Sequence, residues 1–162
     1  MKRLLLLLSL SFSSYIYSQQ TVAVLDFEGI GISADEAKSL SYRFGSEFTG
    51  LAQGQYVLVE RQQIGEILEE QGLQQSGCVS SECAVEVGAA LGAKFIVTGS
   101  ITKVGNIYSV NARLMNVETT EIMRSISHDQ MGNIGILLTQ GMKSAAAKLL
   151  GMGAPSNTTT AP

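Results

Sequence analysis

Short apolar runs rich in β-branched residues alternate along this chain with longer segments whose apolar positions recur at helical spacing. Val22 to Phe27 (VAVLDF) reads as a buried strand, and Glu28 to Ser33 as a glycine-containing loop. Ser33 followed by Glu36 forms a capping box. The helix it opens lines up Ala37, Leu40, Phe44, Phe48 and Leu51 on one stripe, and Gly50 and Gly54 mark its exit. Tyr56 to Glu60 is a second strand. From Arg61 a second helix carries Ile64, Ile67 and Leu68 on one face and Glu66, Glu69 and Glu70 on a solvated one. Ser80 or Ser81 caps a third helix with Cys83, Ala84, Val87, Ala90 and Leu91, and Gly92 stands where a left-handed cap is wanted.

The later half reads as strands. Phe95 to Thr102 (FIVTGSIT) is apolar on both faces at its start, as a central strand would be. Gly105-Asn106 signals a hairpin turn. Beyond it, Tyr108, Val110, Ala112 and Leu114 alternate with Ser109, Asn111 and Arg113, giving a half-buried strand with one wet face. Glu121 to Asp129 is a less regular strand. Asn133 starts a last helix with Ile134, Leu137, Leu138, Gly141, Ala145 and Leu149 inward. The order β-α-β-α-α-β-β-β-α predicts an α/β (α+β) fold. Its mixed β-sheet has parallel neighbours from the first β-α-β unit and antiparallel hairpins afterwards, with helices packed on it.

Two stretches fall outside this pattern. Lys2 and Arg3 precede the apolar run Leu4–Leu8, Leu10 and Phe12, and Ser13, Ser14 and Ser18 follow, which is the layout of a secretory signal peptide. The run is about ten residues, half of what spans a bilayer as a helix, so cleavage between Ser18 and Gln19 is expected over an uncleaved anchor. At the other end, residues 151–162 are small, polar and proline-bearing and read as a disordered tail. The domain between, 19–150, has length enough for one core. Loss of Lys2 and Arg3 takes the formal charge from −3 to −5, so no basic footprint for nucleic acid is present.

Export changes how the cysteines read. Cys78 and Cys83, with four residues between them, would meet an oxidising compartment, and a disulfide closing this short loop is expected, with a redox-active pair or free buried thiols as the alternatives. Zinc wants four ligands and the one histidine, His128, is remote in sequence, so no metal site is assigned; His128 reads as a surface or edge residue. Gly29-Ile30-Gly31-Ile32-Ser33-Ala34 matches G-x-G-x-x-A between a strand and a helix, where a dinucleotide phosphate could rest. The acid that would bind ribose, Glu60, lies about thirty residues on instead of roughly twenty, and a structural glycine loop is the expectation. Asp26 and Glu60 end adjacent strands and would do acid–base work if paired, but a strand-end carboxylate more often caps a helix or pairs with Arg61 or Arg43. No G-x-S-x-G elbow is present. These readings assign no catalytic residue and no cofactor. The wet strand face, with Ser109, Asn111 and Arg113 and joined by Arg124, is the candidate partner surface, a plain solvated face being its alternative.

VAVLDF, then YVLVERQQIGEILEEQGLQQSG, then AVEVGAALGAKFIVTGSITKVGNIYSVNARLMNVETTEI together resemble the CsgG-like family of curli assembly and transport, related to the penicillin-binding-protein activator LpoB and the TolB N-terminal domain. The resemblance covers roughly Thr21 to Leu150 and is sharpest over Glu60–Gln71 and Leu91–Ser100. It implies a non-enzymatic module of the periplasm or outer-membrane face that docks an envelope protein, or else an oligomeric subunit of a secretion assembly. Two departures matter. The only cysteines are Cys78 and Cys83, so the lipid anchor of such relatives is not expected, nor are the extra strands of a curli-type pore. Thr120 stands where relatives usually carry glycine, and because a β-branched residue is strained at positive φ, a different turn is expected there.

Overall fold

The structure of the protein, a computed structural model, describes residues 19–72 and 80–153. The leader 1–18 with Ser18, the loop with Cys78, and residues 154–162 lie outside the described residues. The elements are β1 (Gln20–Val24), β2 (Glu28–Ile30), α1 (Ala34–Leu51), β3 (Tyr56–Leu58), α2 (Arg61–Glu70), α3 (Ser81–Ala90), β4 (Phe95–Val104), β5 (Ile107–Asn116), β6 (Ile122–Met131), α4 (Ile134–Ile136), a π-helical turn (Leu137–Gly141) and α5 (Met142–Leu149). They build the mixed sheet that the pattern predicts, in the order β3-β1-β4-β5-β6. β1 lies between β3 and β4, parallel to both, and β4, β5 and β6 form an antiparallel meander.

One stretch expected to be loop is strand. Glu28–Ile30 pairs with Ser100–Thr102 of β4, parallel, beyond the point where β1 ends. Val24 lies opposite Val97 and Glu28 opposite Ser100, so four steps on this side match three on β4. The extra residue falls within Leu25–Phe27 and bulges the strand. The periodicity of VAVLDF ran through this break because Leu25 and Phe27 are both buried, on opposite faces of the sheet.

Each face buries a different set. On one, α1 and α5 cover Val22, Val24, Phe95, Val97, Ile101, Val110 and Leu114. Aromatic rings run through this core from Phe27 to Phe44, Phe48, Tyr56 and Phe95, with successive centroids 5.0, 6.2, 5.4 and 5.6 Å apart. Phe27, Phe44 and Phe48 are fully buried, each worth roughly 1.5–3 kcal/mol of transfer free energy. On the other face α2 and α3 bury a smaller cluster, with Ala23, Leu25, Ile96 and Met115 from the sheet and Ile64, Leu68, Ala84 and Val87 from the helices.

Helix ends follow the sequence closely. Ser33 and Glu36 form the reciprocal capping box, Ser80 accepts from Cys83 N–H at 3.2 Å, and Gly92 takes a left-handed φ of +62°. Leu138, expected inward, is instead exposed, because the π-helical turn adds a residue and shifts the phase of the inward stripe to Leu137, Met142, Ala145, Ala146 and Leu149. Gly151 and Met152, assigned to the tail, belong to the α5 cap: their N–H groups bond Lys148 O and Ala147 O at 2.9 Å. The expectation at Thr120 also fails. Thr120 sits at φ +60°, in a turn held by Asn116, whose Oδ1 accepts from Glu118 N–H at 2.9 Å and Thr119 N–H at 3.1 Å. The side-chain bonds hold the turn type and leave the β-branched residue strained.

His128 is on the outer strand, as expected for an edge residue, but is not a plain surface group. It pairs with Val110 on the α5 side of β6, and its Nε2 is buried without a hydrogen-bond partner. Burial, then the charge of Lys148, lowers its pKa below the ordinary imidazole value, with Asp129 and Gln130 opposing.

Three outcomes follow from this packing. A Cβ at Gly99 would lie 2.1 Å from Asn111 O, a backbone atom of the neighbouring strand. Gly99→Ala therefore destabilises by about 2 kcal/mol or more in urea unfolding. Thr120→Gly relieves a left-handed cost of roughly 1–2 kcal/mol but loosens the unfolded chain, for a net gain of about 0.5–1 kcal/mol and a raised melting temperature. For His128, stability is full above the unfolded value of about 6.5 and falls as pH drops below it, since the unfolded chain takes up a proton that the fold resists. The difference in urea midpoint between about pH 7.5 and pH 5.5 will be smaller in His128→Leu than in the parent.

Candidate functional site

The glycine loop is built for packing. Gly29 faces α1, where an added Cβ would lie 3.0 Å from Ala37 Cβ. Gly31 turns the chain at φ +76° under the carbonyl of Lys103, 2.8 Å from where a Cβ would be. The helix N-terminus that a phosphate would use is already satisfied from within. Glu36 Oε2 accepts from Ser33 N–H at 2.7 Å and from Ser33 Oγ at 2.9 Å, and Ser33 Oγ accepts from Glu36 N–H at 3.2 Å. Those bonds, the backbone one foremost, hold the Glu36 carboxyl below its ordinary value. A carboxylate thus stands in the anion position, and the adjoining hollow of about 400 Å³ is lined by Asp26, Glu28 and Asp35 with Lys38. Its acidic lining opposes a phosphate.

Asp26 and Glu60 do not form a carboxylate pair. The Asp26 side chain is 6% exposed and takes an ion pair from Arg61 Nη1, the alternative that the sequence offered. The Arg61 guanidinium also lies 5.3 Å from the ring centroid of Tyr42 on α1. Glu60 is exposed at the start of α2 without a side-chain capping bond. Beside them a cleft of about 250 Å³ runs between α1 and the ends of β1 and β3, lined by Ser41, Tyr42, Ser46, Thr49, Leu58 and Arg61. Its charged lining is Glu60 and Arg61, and Arg61 is already paired with Asp26. Among the described residues no group of three His, Cys, Asp or Glu side chains is placed to hold a metal.

The open part of the sheet gathers far more. On the face that α2 and α3 cover only in part, three rows of polar side chains cross β4, β5 and β6: Thr102–Ser109–Asp129, Ser100–Asn111–Ser127 and Thr98–Arg113–Ser125, the last beginning at the buried Thr98. Paired residues share a face, so the register alone puts all nine on one surface. Ser109 Oγ and Asp129 Oδ1 are 2.5 Å apart, and Arg113 Nη1 reaches Ser81 Oγ of α3 at 3.4 Å. A shallow hollow of about 370 Å³ lies between Ser100, Asn111, Arg113, Ser125 and Ser127. At the far rim, Val104, Ile107 and Met131 stand side by side in register, with Ile30 of β2 near them. Val104 is 71% and Met131 65% exposed.

Ser109, Asn111 and Arg113 are therefore brought together as expected, but Arg124 does not join them. It pairs with Leu114 on the opposite face and donates from Nη1 to Leu149 O at 3.2 Å, closing the end of α5. Residues from β6 take its place on the polar face. Sequence reasoning missed Ser125, Ser127 and Asp129 because β6 lacks clean alternation and its register is set across the irregular connection after Asn116; counting outward from the two-residue Gly105-Asn106 turn would have placed only the β4 members of the same rows, Thr102, Ser100 and Thr98.

Residues 49–109 match the family described as curli production assembly/transport component CsgG. No curated protein matches the chain. Among solved structures, the LpoB C-terminal domain from Salmonella enterica is similar, at 22% identity and a TM-score of 0.53, over 70% of this chain and 83% of that one. A PelC dodecamer from Paraburkholderia phytofirmans gives 16% identity and 0.53, over 81% and 86%. A lipoprotein from Neisseria meningitidis gives 14% and 0.57, over 80% and 98%. At these identities the likeness is one of fold, and the match to the CsgG family description is confined to residues 49–109.

Proposed function

We propose that this protein is a non-catalytic binding module of the cell envelope, carried to the periplasm by its leader and docking a partner protein there through the open face of β4, β5 and β6. The observation that carries the reading is the polar face of β4, β5 and β6 with its apolar rim, largely open beyond the buried Thr98, on a sheet whose other face carries the larger core under α1 and α5. A large solvated face needs no apolar rim; a docking face commonly combines the two. The family description as an assembly and transport component, and similarity to a protein described as a lipoprotein, support placement at the envelope. In that compartment Cys78 and Cys83 close a disulfide, and Gln19 becomes the first residue.

An oligomeric subunit is the second reading, favoured by the dodecameric state of the PelC structure. Sedimentation of the purified exported protein separates the two. A single monomeric boundary across the concentration range removes the second.

A photo-crosslinking residue in place of Asn111 or Thr102 will give one discrete adduct in envelope preparations, and one in place of Glu69 on the acidic helix will not. Equal labelling at all three sites, or none, overturns the docking face. The intact mass of the exported protein will start at Gln19 and gain two hydrogens on reduction; an unchanged mass refutes the disulfide.

A further inference from the structure

The outer edge of β6 has no partner strand. β6 is ten residues long and pairs with β5 alone among the described residues. Gly132 N–H bonds Asn106 O at 2.9 Å, so the even-numbered residues of β6 turn their backbone groups toward β5. Ser125, Ser127, Asp129 and Met131 turn theirs outward. The contact of Lys148 Nζ with Ser127 O, at 3.5 Å, agrees with that phase. From Ser125 to Met131 the strand has no proline, no lysine and no bulge, the usual devices that blunt an edge; its single irregularity lies further back, opposite Leu114 and Met115.

Charge is segregated along the same edge. Residues 19–121 hold thirteen Asp and Glu against six Lys and Arg, whereas residues 122–153 hold one acid against three bases. The one acid, Asp129, lies against Ser109 Oγ. Arg124 and Lys148 flank the α5 side of β6, and Lys148 reaches the strand backbone itself. A bare ladder edge with a basic border inside an acidic molecule suits an extended ligand of negative charge.

We propose that β6 is a docking strand for an extended acidic peptide segment of a partner protein, which adds to the sheet along Ser125–Met131 and sets its carboxylates over Arg124 and Lys148. This rests on the docking reading above and names the partner's chemistry. The added strand would widen the polar face by one row, and the rim beside Met131 would favour an apolar residue at one end of the segment.

The probe is a fluorescent peptide of alternating Glu and Val, about seven residues long to match the free edge, followed by anisotropy. Binding is expected at about 10–100 μM and to weaken as salt rises. N-methylation of alternate peptide amides, a Lys-Val peptide, or Ser127→Pro, which removes an outward N–H and none of those that bond β5, should each weaken it about tenfold or more. Lys148→Glu should weaken it about threefold to tenfold. His128 is the chain's single histidine, and its ring resonances should shift on binding. Equal binding of the N-methylated peptide to the parent protein, or no binding of the acidic one at millimolar concentration, overturns the proposal, and neither outcome depends on a variant that must fold. If Asn111 adducts form in envelopes while the peptide does not bind, the edge proposal falls and the docking face stands; if both are missing, the docking reading falls with it.

Discussion

The single extra residue between β1 and β2 is the constraint around which the rest of this fold is arranged. It lets one stretch of chain pair with β4 twice, first through Val22–Val24 and then through Glu28–Ile30. A bulge exposes backbone groups that a regular ladder would have satisfied, and each needs a partner when buried. Phe27 N–H finds Ser41 Oγ at 2.8 Å, and that hydroxyl donates onward to Ala37 O at 2.7 Å. Leu25 N–H bonds Val97 O at 3.0 Å. The Asp26 carboxylate, left at the bend, is taken by Arg61. One irregularity thereby ties α1 to one face and the start of α2 to the sheet end. A nearly buried ion pair adds specificity of arrangement more dependably than net stability.

Coverage of the sheet is unequal, and that inequality bears most directly on function. α1 and α5 cover most of one face. α2 and α3 have ten residues each and protect only the part near Ala23, Leu25, Ile96 and Met115. The remaining surface must be wet or be covered by something else. Its hydroxyl, amide and guanidinium groups make it soluble, while Val104, Ile107 and Met131 at its rim are not arranged for solubility alone. The same geometry explains the apparent catalytic motifs. The glycines of the Gly29–Ala34 loop let β2 lie close to α1, Glu36 fills the helix end, and Asp26 serves Arg61.

Much of this was written in local sequence. Ser33 and Glu36 specify a capping box across one turn, the stripe Ala37–Leu40–Phe44–Phe48 specifies a buried helix face, and Gly105-Asn106 with the alternation after it specifies a hairpin. Each depends on neighbours a few residues apart, so composition and spacing suffice to read it. The wet face with Ser109, Asn111 and Arg113 was legible for the same reason, as was the option that Asp26 pairs with Arg61.

Tertiary structure decided what local spacing cannot express. The register at Leu25–Phe27 follows from two separate pairings with β4, so VAVLDF looks continuous although the strand breaks. Arg124 has the residue type of a binding surface, yet its pairing with Leu114 and its bond to the carbonyl end of α5 place it on the opposite face. His128 looks like an edge residue, and only the seating of α5 shows that its Nε2 is buried. At Thr120 the side-chain bonds from Asn116 outweigh the φ preference of a β-branched residue. Sequence by itself determined the elements, their caps and the polarity of each strand, because these are set by short-range sterics and hydrogen bonding. Which polar groups meet on one surface, and which edge of the sheet stays free, was decided only by long-range pairing and by how far each helix reaches across the sheet.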